Sequence, residues 1–234
     1  FQTAEMIKYA NNSFLATKIS LINELSNICQ NIPGTNIDDI SKTIGLDPRI
    51  GKLFLNAGPG YGGSCLPKDM SALINFADKI GVKPILLNAV EKTNHKQIND
   101  IISLMKKILG NITSKRITIL GTAFKPNTND IRNSKSIELI KKLLKNKVKI
   151  TVHDPRAIEN TKKIFGTKIL YAKSIADALN KSQCGIIMTH WKQYDTLNNN
   201  SIKHMNKKII IDCRRVLAKK ELGAEYYGIG IGKS

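Results

Sequence analysis

Residues 110–125 read GNITSKRITILGTAFK, and the change of period inside this stretch decides the fold. Upstream of Gly110, apolar residues recur three and four apart, as on a helix. From Arg116 to Leu120 the β-branched run RITIL leads straight into Gly121, as a buried strand enters a turn. Toward the amino end, Met6, Ile7, Ala10, Phe14, Leu15, Ile19, Ile22, Leu25 and Ile28 keep helical spacing from Thr3 to about Asn31, ahead of Pro33-Gly34. Further helices are predicted over Ile37–Ile44, closed by Gly45, over Pro67–Lys79 and over Ile85–Leu109. Residues 47–65, DPRIGKLFLNAGPGYGGSC, are punctuated by glycine and proline and read as an ordered loop. Toward the carboxyl end, strands at Lys149–Val152, Lys168–Leu170, Gly185–Met188 and Lys208–Asp212 follow the first. Helices at Ser134–Lys145, Arg156–Ile164 and Ser174–Asn180 lie between them. That alternation builds a doubly wound, mostly parallel sheet. The fold class is therefore α/β: an all-helical domain, residues 1–110, followed by a Rossmann-like parallel sheet domain, residues 111–234.

The composition, 41% hydrophobic and 24% charged, fits a soluble globular chain. No apolar run reaches the roughly 18 residues that span a bilayer, so no membrane partner is expected. The sequence opens at Phe1 in what reads as helix interior, without a signal-peptide pattern; a truncated start and a cytoplasmic location are expected. Cys29, Cys65, Cys184 and Cys213 are far apart and form no CxxC pair, which argues against a zinc site or a disulfide framework. Three of them sit in apolar surroundings and read as core; Cys65 lies in the glycine-rich loop. The net charge of +19 is uneven, with 25 basic and 9 acidic residues in 111–234 against 12 and 9 in 1–110. A nucleic-acid partner is one reading of such an excess. The lysines are scattered over helix faces, however, few aromatics are interleaved and no nucleic-acid module is recognisable. Solvated lysine faces are the simpler reading, and no nucleic-acid partner is expected.

In an open parallel sheet, ligands bind beyond the carboxyl ends of the strands. Here those ends read Gly121-Thr122-Ala123-Phe124-Lys125, His153-Asp154-Pro155, Thr189-His190-Trp191 and Asp212-Cys213-Arg214-Arg215. Lys125, Arg214 and Arg215 suit a phosphate-bearing ligand. No GxGxxG follows the first strand, so the sheet does not read as a standard dinucleotide cradle. In the loop, Gly58-Pro59-Gly60-Tyr61-Gly62-Gly63-Ser64 offers backbone N–H groups with little obstruction. Cys65 stands where a helix begins, and the positive dipole end favours a thiolate. Asp69, four residues on, is expected on the same face, and Lys8 and Asn12 stand in the same relation on the first helix. From the residues alone, the loop is either a structural turn or a nucleophile site, and Lys8, Asn12 and Arg49 are equally ordinary surface residues. The four histidines match no catalytic pattern, and Trp191 packs against either a nucleotide or the sheet.

Five segments in order, KYANNSFLATKISLINE, IGLDPRIG, GPGYGGSCLPKD, GTAFKPNTNDIR and DCRRVL, resemble motifs of the UDP-glucose/GDP-mannose dehydrogenase family and span nearly the whole chain. The resemblance implies a central dimerisation domain followed by a UDP-sugar-binding domain, NAD as cofactor, no metal and a homodimer. The family's NAD-binding Rossmann domain would precede Phe1, so this stretch by itself is expected to be inactive. Residue by residue, the resemblance implies Cys65 as nucleophile and Asp69 as the carboxylate that positions or activates water. It implies Lys8 and Asn12 as stabilisers of charge on the substrate oxygen, and Arg49 as an arginine reaching the neighbouring subunit's site. Phe54, Leu55, Tyr61 and Gly62 correspond to the loop that wraps the UDP-sugar, Lys125 and Arg215 to further substrate contacts, and Arg132 to a contact with NAD. The family usually has glycine where this chain has Cys213, which bears on the geometry of the adjoining arginines. DPRIG and CRRVL favour UDP-glucose as substrate, oxidised to the uronate through a Cys65 thiohemiacetal and thioester. The alternatives are GDP-mannose or another nucleotide sugar, a non-catalytic UDP-sugar-binding dimer module, and a basic nucleic-acid binder on the same scaffold.

Overall fold

The helix at the amino end, α1, runs Gln2–Cys29, 28 residues without a breaker. In the computed structural model, which describes residues 2–217 and 221–233, it turns an unusual face inward. The positions it buries are mostly small or polar: Ser13, Ala16, Ser20, Asn23, Ser26 and Cys29, with Ile22 the one large apolar member. Its large apolar side chains Ile7, Phe14, Leu21 and Ile28 recur every seventh residue and are 63, 63, 55 and 53% exposed. The helical periodicity was thus correctly assigned to a helix, but half of its apolar stripe does not face its own unit.

Helix α2, Ile37–Ile44, starts at Asn36, whose side chain accepts the N–H of Asp38 at 2.9 Å. Helix α3, Leu66–Lys79, carries Pro67 in its first turn, where a missing N–H costs nothing. Helix α4 spans Ile85–Leu109. Two small cores hold these helices together: Ala16, Tyr61, Met70, Ile74 and Val90 form one, and Ile22, Cys29, Ile37 and Ala57 the other. The chain divides into two compact units between Asp100 and Ile101, inside α4, and the segment from Gly230 belongs with the helical unit. That segment is fastened by Gln30, whose side chain accepts from Gly230 N–H and donates to the Ile231 carbonyl, both at 2.8 Å.

The second unit alternates strands β1 Arg116–Leu120, β2 Lys149–His153, β3 Leu170–Tyr171, β4 Cys184–Ile187, β5 Ile209–Asp212 and β6 Glu225–Gly228 with helices. These helices are α5 Lys135–Lys145, α6 Ile158–Phe165, α7 Ile175–Leu179 and α8 Asn199–Ile202. The strands form one parallel sheet in the order β3-β2-β1-β4-β5-β6. Its register sets Leu120 beside both His153 and Ile187, so the carboxyl ends of the central strands are level. Strands β4 and β5 are buried along their whole length, as expected where helices cover both faces.

Three features depart from the sequence reading. Strand β6 was not anticipated: four residues between glycines are too few to show a period. Strand β3 starts later than Lys168, because Gly166–Lys168 makes a single 3-10 turn first. Between β4 and β5, where the sequence reading placed no element, lie a 3-10 turn at Lys192–Thr196 and the four-residue α8. Trp191 lies in the sheet-unit core with Leu120, Ile187, Tyr194 and Ile210, so it packs on the sheet and is not presented to a nucleotide.

Candidate active site

The glycine-rich loop is held from beneath by three buried amides that the sequence reading missed. Asn23 of α1 accepts the Gly58 N–H at 2.7 Å, and Gln97 of α4 donates to the Gly58 carbonyl at 2.8 Å. Asn94 of α4 accepts the Tyr61 N–H at 2.8 Å and donates to the Tyr61 carbonyl at 3.2 Å. A polar side chain on the inward face of a helix was the available signal, since such groups are buried only when they satisfy a partner. Gly60 and Gly63 take φ of 102° and 83°, a region open to glycine but strained for other residues. Tyr61 is an anchor: its backbone groups are engaged by Asn94, its ring lies in the helical core, and burial pushes its phenol pKa well up. Leu55 is also buried, so its side chain is not available to a ligand. Phe54, exposed and with φ of 64°, and Gly62, half-buried, are the members of this set that face outward.

Cys65 is exposed and occupies the N-cap of α3, while Cys29, Cys184 and Cys213 are buried. Its carbonyl accepts the Asp69 N–H at 2.9 Å, the first bond of the helix, and Ser64 Oγ lies 3.7 Å from its sulfur. Asp69 is buried, so it does not share the exposed face of Cys65. It is reached instead from α1. Lys8 Nζ stands 3.1 Å from one carboxylate oxygen, and Asn12 Nδ2 donates to the other at 2.6 Å. Burial works against the Asp69 charge, but the hydrogen bonds from Lys8 and Asn12, with the charges of Lys8 and Lys68, outweigh it and hold the carboxyl below its ordinary value. The bond to Asp69 raises the Lys8 pKa, and Cys65 is close enough for its charge to act in the same direction. The cluster therefore sets the exposed Cys65 beside an ammonium–carboxylate pair that both shifts hold in its charged form at neutral pH. Arg49 projects outward, its guanidinium folded onto Asp47 at 2.6 Å and its side chain 87% exposed.

On the sheet unit, Asp154 at the end of β2 takes N–H groups from Thr122, Ala123, Arg156 and Ala157, and the indole N–H of Trp191, all at 2.7–3.1 Å. The backbone N–H groups of the turn after β1, which would cradle a pyrophosphate in a dinucleotide fold, are thus already bound to a carboxylate. This turn does not fit the NAD pyrophosphate. Arg132 is exposed and paired with Asp130 at 2.7 Å. Lys125 is exposed, with Nζ 5.4 Å from the Phe124 ring centroid.

At the end of β5, Asp212 accepts from Arg214 N–H and Leu217 N–H, both at 2.9 Å; its burial raises its pKa despite these bonds and the Arg215 charge. Arg214 is turned into the sheet, with Nε on the Met188 carbonyl at 2.9 Å, and burial pushes its pKa down to about 10. Arg215 takes φ of 55° and is 8% exposed. Cys213, which precedes these arginines, is fully buried, its N–H on the Ile187 carbonyl at 3.0 Å. The structure brings Cys65, Lys8, Asn12 and Asp69 together on the helical unit, and Lys125, Arg132 and Arg215 stand on the sheet unit. Among the described residues no cluster of His, Cys, Asp or Glu could hold a metal, and no helix is long and apolar enough to cross a membrane.

A Rossmann-like sheet following a helical unit that presents an exposed cysteine at a helix N-cap is the two-domain arrangement that the motif resemblance implied. Sequence comparison agrees. The UDP-glucose/GDP-mannose dehydrogenase family, central domain, matches residues 2–96, and the UDP binding domain of that family matches residues 118–219. The chain belongs to the UDP-glucose/GDP-mannose dehydrogenase family. A UDP-glucose 6-dehydrogenase of Rickettsia felis is 42% identical over 97% of this chain and 52% of its own length. TuaD, a UDP-glucose 6-dehydrogenase of Bacillus subtilis, is 38% identical over 98% of the chain and 50% of its own length. The solved UDP-glucose dehydrogenase of Pyrobaculum islandicum superposes with a TM-score of 0.89 at 34% identity, covering 97% of this chain and 51% of that one. The chain spans about half the length of the curated relatives it matches.

Proposed function

We propose that this chain supplies the catalytic thiol and the nucleotide-sugar site of an NAD-dependent UDP-glucose 6-dehydrogenase, which oxidises the C6 alcohol of the sugar to a carboxylate in two steps. The observation that carries the reading is the exposed Cys65 at the N-cap of α3 beside the Lys8–Asp69–Asn12 cluster. UDP-glucose is preferred because relatives of that name reach 43% identity, against 26% for the UDP-ManNAc dehydrogenase structure of Pyrococcus horikoshii.

NAD, when bound, supplies the hydride acceptor; within this chain Arg132, which matches a family contact with NAD, is the residue we assign to an anionic group of the cofactor. At the aldehyde stage the Cys65 thiolate forms a bond to C6, and the negative charge gathering on the carbonyl oxygen is met by the Lys8 ammonium and the Asn12 amide. After the second oxidation, water adds to the thioester carbon, its proton passes to Asp69 and the Cys65 thiolate departs. Asp69 in its present contacts is ionised but weakly basic. A substrate oxygen that draws Lys8 and Asn12 away raises its basicity at the step that needs it. Phe54 and Gly62 on the loop, with Lys125 and Arg215 on the sheet unit, contact the UDP-sugar. Leu55 and Tyr61 fix the loop, and Arg49 serves a neighbouring subunit. We assign the functional domains to 1–110 and 111–234, where the sequence period switches, whereas the compact units divide inside α4.

The heptad Ile7, Phe14, Leu21 and Ile28 is the surface through which we propose a homodimer, since a seven-residue repeat keeps a nearly straight apolar seam along α1. Phe14→Glu is expected to convert the dimer to monomer in analytical ultracentrifugation.

The test uses alkylation by iodoacetamide followed by mass spectrometry. Cys65 is expected to react first, with UDP-glucose slowing its reaction and GDP-mannose leaving it unchanged. Protection by neither nucleotide sugar, with no heat on calorimetric titration, would reject the substrate assignment. In the same enzyme extended to the full length of its relatives, Cys65→Ser is expected to abolish uronate formation; normal production would reject the nucleophile.

A further inference from the structure

Strand β1 breaks the rule that a central strand of a doubly covered parallel sheet is apolar on both faces. Ile117 and Ile119 point to one face and are buried, while Arg116 and Thr118 point to the other. The register sets Arg116 beside Lys149 and Thr118 beside Thr151, so the polar positions continue across β2 on the same face. Helix α7 lies on this face, with the Thr118 hydroxyl on the Ala178 carbonyl, but it has only five residues and ends at Asn180. The amino ends of β1 and β2 are left uncovered there, and a cavity of about 290 Å³ opens, lined by Arg116, Thr118, Lys149, Thr151, Lys168 and Asn180 among others. Its lining contains no carboxylate. Among the described residues, the side chains of Arg116, Lys149 and Lys168 make no ion pair.

We infer that this cavity, at the amino ends of β1, β2 and β3 and so at the opposite edge of the sheet from Lys125 and Arg215, is a binding site for a small polyphosphate anion. Three cations that line one cavity without a carboxylate leave it a positive potential, which an anion relieves. The Thr151 and Thr167 hydroxyls and the Asn180 amide, which also line the cavity, add donors for phosphate oxygens. The size matches the low end of small-ligand sites, enough for a di- or triphosphate group and too small to enclose a whole dinucleotide. The site also accounts for part of the basic excess of residues 111–234, which the proposed dehydrogenase chemistry leaves unused.

The test is calorimetric titration of the chain with tripolyphosphate, with thermal melts confirming that each variant folds. Arg116→Gln and Lys149→Gln are each expected to weaken binding at least about tenfold, the worth of one charge-assisted contact. Lys163→Gln, which removes an equal charge on α6, is expected to retain the binding. Equal weakening by Lys163→Gln would show a diffuse basic surface and overturn the site, as would unchanged binding in both Arg116→Gln and Lys149→Gln. Single-stranded RNA binding more tightly than tripolyphosphate through the same residues would also overturn it, in favour of a nucleic-acid surface. Under the proposal, UTP and tripolyphosphate binding equally identifies the phosphate chain as the ligand, and tighter UTP binding adds the base against the apolar wall of Ile150 and Ile169.

Discussion

Asp69 and Asp154 are both buried carboxylates, and the two units of the molecule hold them in opposite ways. Asp154 is gripped by four backbone N–H groups and an indole, all belonging to the frame of the sheet unit. Asp69 is met by the ends of two side chains from another helix, one of them the 59%-exposed Lys8. A carboxylate bound by backbone is locked, because releasing it strands several buried donors at once. One bound by long side chains can exchange those partners for a substrate. The difference separates architecture from chemistry better than burial or charge alone.

The largest expected effect that tests this contrast is that of Asp154→Ala. It leaves the N–H groups of Thr122, Ala123 and Ala157 and the Trp191 indole without an acceptor, so a loss of about 3–5 kcal/mol of stability is expected by chemical denaturation. A loss below about 1 kcal/mol would mean that the turn after β1 finds other partners and that the locked carboxylate is not a lock. Asp69→Asn is expected to do the reverse: little change in the denaturation midpoint, but turnover of the full-length enzyme lower by about 10²–10⁴. Comparable destabilisation by the two substitutions would erase the distinction.

Between these lies Asn94→Ala, which frees both backbone groups of Tyr61. We expect a loss of about 1–3 kcal/mol and faster proteolysis at the glycine-rich loop. The smallest effect is a pH dependence. The folded-state pKa of Asp69 is lowered, so its contribution to stability is present above its ordinary value of 3.8 and is lost as pH falls through the lower folded value. The Lys8 pKa is raised, so its share is present below 10.5 and is lost as pH rises through the higher folded value. The stability difference between the parent chain and Asp69→Asn should be flat across neutral pH and shrink only at those two extremes; a step near pH 6–7 would point to a different partner for Asp69.

Much of this arrangement was legible in the residues. The switch of period at 110–125 marked where helices give way to strands, and four of the five anticipated strands lie within a residue of their observed limits. Cys65, Lys8, Asn12 and Asp69 were recognisable from motif likeness, and they stand together in space. The anchoring amides Asn23, Asn94 and Gln97 were not recognised, because a polar residue on a helix looks the same whether it meets water or a buried loop. Strand β6 escaped because it exists by pairing with β5, a contact that four residues between glycines do not announce.

The sequence by itself determined the class of each segment, since helical and strand periods are local properties of side-chain spacing, and it placed a lone cysteine in a loop that glycine leaves open. Tertiary structure alone decided which residues of a motif touch a ligand and which hold the frame. Leu55 and Tyr61 belong to the loop motif, yet their side chains complete the helical core, while Asp69 is reached across space by α1. It also decided that Ile7, Phe14, Leu21 and Ile28 stay uncovered and that Arg116 and Lys149 face one cavity. Period and propensity act along the chain, whereas burial and charge pairing depend on which distant segments the fold brings within reach.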